Sequence, residues 1–460
     1  MIEELKPYVE YKESGLPWLG SVPAHWVTKR GKSYMTAIDR RSQAGKEELL
    51  TVSSARGVIP RITAKVTMFK AESYAGYKLC WPGDLVINSL WAWGGGLGVA
   101  QHHGIISTAY SVYRPRPSAQ INPRFLHELV RSSSFNWELH VRSKGIWISR
   151  LQLTDTSFLD APIPLPPPDE QAAIVRFLDH ANRKIDGFIR AKRKLIGLLN
   201  EQKQAIIHRA VTRGLHPDVP LKSSGSVWLG DIPAHWEMHR AKFLFEQVTP
   251  PIPDDAGQVT CFRDGQVTLR SNRRTTGFTN AILELGYQGI KPGQLVLHSM
   301  DAFAGAIGIC DSHGKCSPEY VICEPTMDGV YSPYYARLLR TLALQGLFVA
   351  LCPSVRQRAP RVRFNDFGGF SLPKPPEVEQ QRIIEHIERE TAALTTAIAR
   401  TEREIALMQE YRTRLTADLV TGKLDVREAA AKLPEPPAEP AAEEVLEELL
   451  EETELEETAP

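Results

Sequence analysis

A long hydrophobic run is missing from this sequence of 460 residues. No segment approaches the run of about 18 apolar residues that a membrane-spanning helix needs, and the first ten residues lack the apolar core of a signal peptide. These two absences predict a cytoplasmic protein that has no membrane partner.

Paired cysteines are missing as well. The six cysteines include no C-x-x-C pair, whereas a structural zinc site takes its ligands at short, regular spacings. The sequence therefore predicts buried free thiols and no metal site.

A strong net charge is absent from the whole chain, whose formal net charge is +1. The balance is uneven, however, because residues 428–460 contain 12 acidic residues and one basic residue. Residues 1–427 then hold 54 Lys and Arg against 42 Asp and Glu, a net charge of +12. This excess suits a polyanionic partner, and it is equally compatible with ordinary surface charge.

An internal repeat is the main feature that the sequence does contain. Residues 11–26 (YKESGLPWLGSVPAHW) are identical to residues 221–236 (LKSSGSVWLGDIPAHW) at ten of sixteen positions. Offsets of 207–210 relate further pairs of segments, which are 82–86 and 292–296, 165–166 and 372–373, 170–171 and 379–380, and 211–212 and 420–421. Residues 40–75 and 250–285 share nothing that can be aligned. A constant frame around divergent interiors is typical of two modules that do the same job on different targets.

Each half ends in a long predicted helix. The first follows a proline-rich stretch, where Asp169 is placed to cap it, and its apolar residues recur at spacings of four and three. A helix of about 60 Å with one apolar stripe needs a partner. The expected partner is the other long helix in antiparallel orientation; the alternative is that each helix packs on its own globular unit. The predicted interface residues are Ile174, Leu178, Ile185, Leu195, Leu199, Ile206, Ile384, Ile387, Leu394, Ile398, Ile405 and Leu415.

The remaining sequence of each half predicts short strands, turns and a helix that begins at Asn122-Pro123 or at Ser332-Pro333. The expected fold class is α+β, with two mixed α/β domains, two long helices that form an antiparallel coiled coil, and a pseudo-twofold internal repeat. The predicted boundaries are 1–168 for the first domain, 169–215 for the first long helix, 216–376 for the second domain, 377–427 for the second long helix and 428–460 for an acidic tail.

Several segments resemble catalytic motifs only in part. Residues 122–125 read N-P-R-F, as in the N-P-x-F loop of amino-methyltransferases, but the second copy has Ser332 in place of the Asn, so a helix cap is the better explanation. Residues 94–98 could suggest a cofactor loop, but the strand–loop–helix frame and the downstream carboxylate of such a loop are missing, and the partner region, residues 304–308, resembles a tight glycine-rich turn. His25 and His235 lie in the repeated P-A-H-W motif without a nucleophile, which favours a structural role. The sequence predicts no active site.

Proteins that read DNA combine Lys and Arg that contact phosphates with side chains that reach base edges. Loops rich in Arg, Asn, Gln and Ser occur in both copies, although a single Arg is more often a solvated surface charge. The candidate DNA-contacting residues are Arg40, Arg41, Ser54, Arg56, Asn88, Trp91, Lys144, Arg270, Asn272, Arg273, Arg274, Ser299, Arg356, Gln357, Arg358 and Arg361.

Three features coincide twice: the motif W-L-G-x-[VI]-P-A-H-W, the segment L-P-x-P with a following Glu-Gln, and a helix that ends in Val-Thr. Over roughly residues 8–427 this combination resembles the specificity subunit of type I restriction–modification systems. The resemblance implies that each variable unit is a target recognition domain for one half of a split, asymmetric site in double-stranded DNA. It also implies that the paired helices set the spacing of the two half-sites.

The same resemblance implies partners for this chain. Two methyltransferase subunits would dock on the helices, and restriction–translocation subunits would join that complex. No catalytic residue and no cofactor is implied for this chain, because S-adenosylmethionine, ATP and magnesium would serve the partner subunits. Two alternatives remain: a scaffold that binds no DNA, and the recognition part of a fused restriction–methylation enzyme, which needs a catalytic region that the sequence lacks.

The acidic tail departs from the pattern of this family. Its Pro/Glu-rich composition predicts either disorder or a short amphipathic helix. One hypothesis is that the tail competes with DNA for basic surfaces or contacts a partner subunit.

Overall fold

The computed structural model describes residues 5–64, 73–145, 151–254, 256–273, 284–352 and 361–435. The chain divides into two compact units, of which the first comprises residues 1–191 with 404–460 and the second comprises residues 192–403. Each long helix therefore contributes one part of its length to each unit. Within the described residues, no helix is long and apolar enough to cross a membrane.

The first unit is built around an antiparallel sheet with the strand order β4-β11-β8-β9, next to the hairpin β5-β6 and the pairs β1-β2, β7-β10 and β3-β12. Its strands are β1 (Tyr11–Glu13), β2 (Ser21–Pro23), β3 (Val27–Arg30), β4 (Met35–Ile38), β5 (Leu50–Ser53), β6 (Gly57–Pro60), β7 (Lys78–Cys80), β8 (Leu85–Asn88), β9 (Leu97–Val99), β10 (Gly104–Ile106), β11 (Tyr110–Pro115) and β12 (Pro162–Leu165). Its helices are α1 (Gly31–Tyr34), α2 (Pro123–Arg131), α3 (Ser133–Arg142), α4 (Asp155–Leu159) and the start of α5 (Pro168–Arg213).

The second unit repeats this order with the sheet β16-β23-β20-β21. Its strands are β13 (Leu221–Ser223), β14 (Asp231–Pro233), β15 (Glu237–Arg240), β16 (Phe245–Val248), β17 (Val259–Cys261), β18 (Val267–Leu269), β19 (Gln288–Ile290), β20 (Leu295–His298), β21 (Ile307–Ile309), β22 (Gly314–Cys316), β23 (Tyr320–Pro325) and β24 (Ser371–Lys374). Its helices are α6 (Ala241–Leu244), α7 (Ser332–Leu344), α8 (Leu347–Leu351), α9 (Phe364–Gly368) and the start of α10 (Glu377–Val420). The mixed α and β content and the internal repeat are thereby confirmed.

The repeat extends into the segments whose sequences diverge. Residues 50–60 and 259–269 cannot be aligned by residue type, yet each forms an antiparallel hairpin, with Val52 opposite Val58 in one copy and Thr260 opposite Thr268 in the other. The backbone hydrogen bonds of a hairpin can form with many different side chains, because every residue except proline supplies an N–H and a C=O. The variable segments are therefore alike in fold and different in the side chains that they carry.

The helix after β11 buries one apolar face in both copies. Phe125, Leu126, Leu129 and Val130 of α2 are fully buried, and the Asn122 side chain caps this helix by accepting hydrogen bonds from the backbone N–H groups of Arg124 and Phe125. The cap predicted for the second copy is not formed, because Ser332 is the first residue of α7 and its N-cap residue, Tyr331, makes no side-chain cap.

In the first unit, α5 and α10 run antiparallel. Ile174, Phe177 and Leu178 of α5 share a hydrophobic core with Leu415 and Leu419 of α10. Further along α5, Asp186 forms an ion pair with Arg412, which lies earlier in α10. The same core contains Trp26 and Phe125, so the helices pack on the globular part of the unit as well as on each other.

The second unit pairs the other parts of the same helices. Ile207 and Val211 of α5 share a core with Ile384 and Ile387 of α10, and the Lys203 ammonium donates a hydrogen bond of 2.9 Å to the Thr395 hydroxyl. Residues 203 and 412 occupy equivalent positions at an offset of 209, as do 186 and 395. The two units therefore use the same helix register with different side chains.

The predicted interface residues of the two long helices are not all buried to the same extent. Ile174, Leu178, Ile185, Ile384, Ile387 and Leu415 are buried. The remaining predicted interface residues are less covered: Leu195 is 40% exposed, and Leu199, Ile206, Leu394, Ile398 and Ile405 are half-buried. Of the buried positions, Ile174, Leu178 and Leu415 belong to the core of the first unit, and Ile384 and Ile387 belong to the core of the second.

The two ends of the chain meet within the first unit. Lys6 pairs with Asp425 as an isolated antiparallel bridge, and the Tyr11 hydroxyl donates to the Lys423 carbonyl at 3.0 Å. The short helix α11 (Arg427–Ala431) follows, and its Ala429 and Ala430 are buried in the first core. Ala429, Ala430 and Leu433, which the sequence places in the tail, thus pack on the first unit because they carry apolar side chains. The rest of the predicted tail, residues 436–460, lies outside the described residues.

Candidate nucleic-acid interface

Three segments come together on the first unit. The turn of the hairpin β5-β6 (residues 53–57) lies against the glycine-rich loop between β8 and β9 (residues 89–96), since the Ser54 carbonyl lies 3.6 Å from the Cβ position of Gly95. The segment between α3 and α4 joins them, because the backbone N–H of Leu153 donates to the Ser89 carbonyl at 2.9 Å. These segments are called the hairpin turn, the glycine loop and the α3–α4 segment.

The second unit has the same arrangement. Its hairpin turn is formed by residues 262–266, and its glycine loop by residues 299–306. Arg263 of the hairpin turn forms an ion pair of 2.9 Å with Asp301 of the glycine loop. The backbone N–H of Val362, in the segment before α9, donates to the Ser299 carbonyl at 2.9 Å. The hydrogen bonds at Val362 and Leu153 are equivalent, so both units assemble the three segments alike.

Glycine permits the close approach of the hairpin turn to the helix behind it. Gly57 and Gly265 have φ values of +79° and +90°, which residues other than glycine rarely adopt. A Cβ on Gly57 would lie 2.7 Å from His127, and one on Gly265 would lie 2.9 Å from Arg340. The hairpin turn therefore lies against α2 in the first unit and against α7 in the second.

One arginine behind each cluster was not recognised in the sequence. Arg131, the last residue of α2, donates to the Leu97 and Gly95 carbonyls at the glycine loop at 2.7 and 3.3 Å. Its other nitrogen donates to the Ser54 and Ala55 carbonyls of the hairpin turn, each at 2.7 Å. The equivalent Arg340 in α7 donates to the Gly305 carbonyl at 3.1 Å and to the Arg263 carbonyl at 3.0 Å. Their matching positions in the repeat were a signal that could have identified them.

The charged groups of these assembled segments have pKa values that differ from their ordinary values. In the second, the neighbouring His298, together with Arg263, lowers the pKa of Asp301 to about 2. Burial lowers the pKa of Arg131 and of Arg340 from the ordinary arginine value. The carbonyl dipoles around these guanidinium groups supply favourable electrostatic contacts in place of water.

Most candidates of the first copy lie in or beside its cluster. Ser54 and Arg56 are in the hairpin turn, where the Arg56 guanidinium donates to the Thr63 carbonyl at 2.8 Å. Trp91 of the glycine loop is 47% exposed and packs against Trp93 with ring centroids 4.6 Å apart. Asn88 precedes this loop and accepts a hydrogen bond from the Leu90 N–H. Lys144 of the α3–α4 segment is exposed.

Arg40 and Arg41 lie elsewhere in the first unit. Arg41 pairs with Lys78 of β7 as an isolated bridge, and its guanidinium is 3.0 Å from the Asp39 carboxylate. The Arg40 guanidinium lies 5.9 Å from the centre of the Trp81 ring. The structure does not bring these two arginines into the cluster of three segments.

The candidates of the second copy differ in exposure. Arg273 is exposed, lies 2.8 Å from the Asp264 carboxylate and packs on the Phe262 ring at 4.2 Å. Arg270 and Asn272 contact Thr260 and Thr268 of their own hairpin. The exposed Arg361 lies 3.5 Å from the Glu319 carboxylate. Ser299 is only 7% exposed, so its side chain faces the interior. Arg274, Arg356, Gln357 and Arg358 lie outside the described residues.

The repeated histidines belong to the frame. The Nε2 atom of His25 is 2.7 Å from the Glu170 carboxylate, which also accepts hydrogen bonds from Tyr8 and from the indole N–H of the buried Trp26. In the second copy, His235 is 2.9 Å from Glu379. These contacts join the repeated P-A-H-W motif to the start of each long helix. They also explain why the Glu of the Glu-Gln pair recurs.

The glutamines of the same pairs hold the proline-rich segments. Gln171 accepts a hydrogen bond from the Asn122 N–H and donates to the Pro166 carbonyl, at 2.7 and 2.9 Å. Gln380 makes the equivalent contacts with Tyr331 and Pro375, at 2.9 and 2.7 Å. Both glutamines are fully buried, and their side-chain amides bond to backbone groups.

The cysteines are buried and free in the structure. Burial raises the pKa of Cys80 to about 12 and that of Cys310 to about 11, so these thiols are poor nucleophiles at neutral pH. In the part of the chain that the structure describes, no group of three His, Cys, Asp or Glu side chains is placed to hold a metal ion.

No protein-family model matches the chain. Solved structures do. A chain from a structure that concerns complex assembly and conformational transition of the type I R-M system matches with a TM-score of 0.60 at 15% identity, over 88% of this chain and 99% of that one. The HsdS subunit from Thermoanaerobacter tengcongensis matches over 88% of this chain and 98% of its own, at 17% identity and a TM-score of 0.42. The type I restriction–modification S subunit from M. genitalium covers 90% and 99%, at 10% identity and a TM-score of 0.32.

The chain therefore has the fold of a type I restriction–modification subunit, carried by the first of these matches. The resemblance noted in the repeated motifs is confirmed at the level of the fold. Because 15% identity is too low to transfer residues, each side-chain role depends on the geometry described above.

Proposed function

We propose that this chain is the DNA-specificity subunit of a type I restriction–modification complex and that it reads a bipartite, asymmetric site in double-stranded DNA. One observation carries the proposal: both units assemble the same three segments with the same backbone hydrogen bonds, and the side chains on those segments differ. A constant backbone with different exposed groups suits two domains that bind the same kind of ligand and distinguish different sequences.

The exposed side chains of both copies support a nucleic-acid ligand. Ser54, Trp91 and Lys144 in the first cluster and Arg273 and Arg361 in the second present donors, a cation or an aromatic face to solvent. Phosphates and base edges need such groups, and the net charge of +12 over residues 1–427 favours a polyanion.

Exposed leucines on both long helices support docking of two methyltransferase subunits. Leu198 of α5 is 54% exposed and Leu407 of α10 is 57% exposed, and they occupy equivalent positions at an offset of 209. An exposed leucine that recurs at the same position of both copies suits one copy of the same partner on each helix. Restriction–translocation subunits would join that complex.

The chemistry would belong to those partners. S-adenosylmethionine, ATP and magnesium would bind the methyltransferase and translocase chains, and the present chain would supply sequence recognition alone. The high pKa values of Cys80 and Cys310 and the structural contacts of His25 and His235 support a chain without a catalytic role.

The test is methylation of a random DNA library by the purified chain with its partner methyltransferase, and by each protein alone, read by sequencing of modified bases. We expect one bipartite motif with two unlike halves, which appears only when both proteins are present. Methylation without sequence preference, or methylation by this chain alone, would overturn the proposal.

Docking is tested separately with Leu198→Glu, Leu407→Glu and the double variant. We expect each single variant to lose one methyltransferase copy and the double variant to lose both, as measured by the mass of the complex in solution. A complex of unchanged mass with the double variant would contradict this docking site. Val378→Glu is a control, because Val378 is an equally exposed apolar residue at the start of α10.

A further inference from the structure

We propose that Arg131 and Arg340 are positioning residues, each of which fixes the hairpin turn of its unit relative to the glycine loop and so governs readout of that unit's half-site. The inference rests on the proposed function. It adds two residues that contact backbone atoms of the reading segments.

The geometry in the first unit is that of a fork between two loops. One terminal nitrogen of Arg131 donates to the carbonyl of Gly95 in the glycine loop at 3.3 Å and to that of Leu97, the first residue of β9, at 2.7 Å. The other terminal nitrogen donates to the Ser54 and Ala55 carbonyls of the hairpin turn, each at 2.7 Å, and the Ser53 carbonyl is 3.4 Å from the first nitrogen. The guanidinium group is planar and presents its donors in fixed directions. A displacement of either loop therefore breaks hydrogen bonds with the arginine that the other loop holds in place.

The second unit repeats the fork with a different set of loop residues. Arg340 bonds the Gly305 carbonyl of the glycine loop and the Arg263 carbonyl of the hairpin turn, at 3.1 and 3.0 Å. The two arginines lie at an offset of 209, and each is on the first helix after the central sheet. An arrangement that occurs once in each copy is a property of the module.

All of these acceptors are backbone carbonyls. The hairpin turns read S-S-A-R-G in one copy and F-R-D-G-Q in the other, yet the same type of contact is made. Because a carbonyl is present whatever the side chain, this contact tolerates a change of every side chain in the turn. The arginine thus keeps the backbone of the reading segments in place while their side chains differ between targets.

Loss of the fork should affect discrimination before it affects fold. Both arginines are half-buried and outside the hydrophobic cores, which are formed by residues such as Phe125 and Tyr335. Direct readout of a base depends on side chains held within a fraction of an ångström, and a well-placed pair supplies about tenfold or greater discrimination against the wrong base. A loop that moves loses this discrimination and keeps its contacts with phosphates.

Arg131→Lys and Arg340→Lys are the main variants. A lysine keeps the charge and part of the stem, but its single ammonium group cannot bond both loops in the directions that the guanidinium uses. Arg131→Met and Arg340→Met remove the charge. Arg124→Gln is the matched control, because it removes a cation from the same helix α2, where Arg124 forms an ion pair with Asp179.

The experiment measures methylation by the complete complex on two DNA libraries, one randomised in each half-site. We expect both Arg131 variants to lower discrimination in the half-site read by the first unit by about tenfold or more, with the other half-site unchanged. The Arg340 variants should give the reverse pattern. Arg124→Gln should leave both half-sites unchanged.

The possible outcomes lead to different conclusions about the two arginines. Relaxation confined to one half-site, and to opposite half-sites for the two arginines, supports the inference. Equal loss of activity at both half-sites, or unchanged discrimination by variants that melt like the wild type, overturns it. If the wild-type complex shows no preference in either half-site, the proposed function itself fails, and that result is distinguishable because it appears before any variant is compared. If a Met variant does not fold, the Lys variant carries the test.

Discussion

At the scale of single residues, the repeated motif is explained by one carboxylate. Glu170 is buried at the start of α5 and accepts hydrogen bonds from Tyr8 at 2.5 Å, from Trp26 at 2.7 Å and from His25 at 2.7 Å. A buried carboxylate is tolerated where several donors replace water. The hydrogen bond from the Tyr8 hydroxyl to Glu170 is accompanied by a tyrosine pKa raised above its ordinary value, chiefly by burial.

Glu170→Gln should destabilise the chain by about 1–3 kcal/mol, because the new amide nitrogen faces groups that donate hydrogen bonds themselves. The side chain of Glu170 is 2% exposed, whereas that of Glu379 is 20% exposed and is contacted by His235. Glu379→Gln is therefore the matched control and should cost less than about 1 kcal/mol. Chemical denaturation measures both, and equal losses would show that the additional donors of the first copy contribute nothing.

His127 should make stability depend on pH. Its Nδ1 atom accepts a hydrogen bond of 3.2 Å from the Val99 N–H, and burial lowers its pKa to about 4. The unfolded chain, with an ordinary histidine pKa of about 6.5, binds this proton more readily than the folded chain. The contribution of neutral His127 is thus fully present above about pH 6.5 and is lost as the pH falls towards 4, on the order of 2 kcal/mol.

The comparison variant for this pH dependence is His127→Ala, since Ala336 occupies the equivalent position of the second copy. The free energy of unfolding is measured from pH 7 to pH 4.5 for both proteins. We expect a shallower loss for the variant as the pH falls. Parallel curves would mean that His127 does not bind the proton that destabilises the fold.

At the scale of elements, the long helices were predictable and the hairpins were not. Periodic apolar residues from Ile174 onward predicted α5, because a helix repeats its surface every three or four residues whatever its tertiary contacts are. The helix begins at Pro168, one residue before the predicted cap at Asp169. Hairpins such as β5-β6 are specified by backbone pairing and by their surroundings, and their short divergent sequences carry little periodic signal.

The candidate interface could be predicted from the sequence only in part. Ser54 and Trp91 were chosen because loops rich in polar and aromatic residues stand out between strands, and the structure places both in the cluster of three segments. Ser299 was chosen on residue type alone, and its burial depends on neighbours distant in the sequence. Arg131 was missed because it looks like an ordinary residue at a helix end until its carbonyl partners from two separate loops are known.

Helix α5 contains two glycines that should be replaceable with a gain in stability. Nothing lies within 4 Å of the Cβ positions of Gly187 and Gly197, and both are inside the helix. Alanine at each site restricts the unfolded chain and should add about 0.5–1 kcal/mol to the free energy of unfolding. Gly104→Ala is the opposite control, because its Cβ would lie 2.3 Å from the Glu48 carbonyl. Thermal melting distinguishes the stabilising substitutions from the destabilising one. A lower melting temperature for Gly187→Ala would contradict the prediction that this glycine can be replaced with a gain in stability.

At the scale of the whole molecule, the first unit is assembled from both ends of the chain. Tyr8 and Trp26 share a core with Leu419, Val426 and Ala430. Two truncations separate this role from that of the acidic tail. A chain that ends at residue 435 keeps Val426 and Ala430 and should melt like the full chain. A chain that ends at residue 425 should lose about 2–3 kcal/mol, because it exposes the surface that Val426, Ala429 and Ala430 cover.

The chain that ends at residue 435 also tests competition between the tail and DNA. Residues 436–460 contain ten Glu and no Lys or Arg. If they occupy the basic surfaces, the chain that ends at residue 435 should bind DNA more tightly at low ionic strength, with a difference that disappears as salt is added. Equal affinities at all salt concentrations would exclude competition and leave contact with a partner subunit as the role of the tail.

The meeting of the two chain ends has a consequence for synthesis on the ribosome. Residues 192–403 form one contiguous unit, whereas the first unit needs Leu415, Leu419 and Val426 from the end of the chain. The globular part of the first unit is therefore translated before the second unit and completes its core after it. A ribosome that stops before residue 415 releases a chain with a finished second unit and an open first core, whose exposed apolar residues mark it for proteolysis.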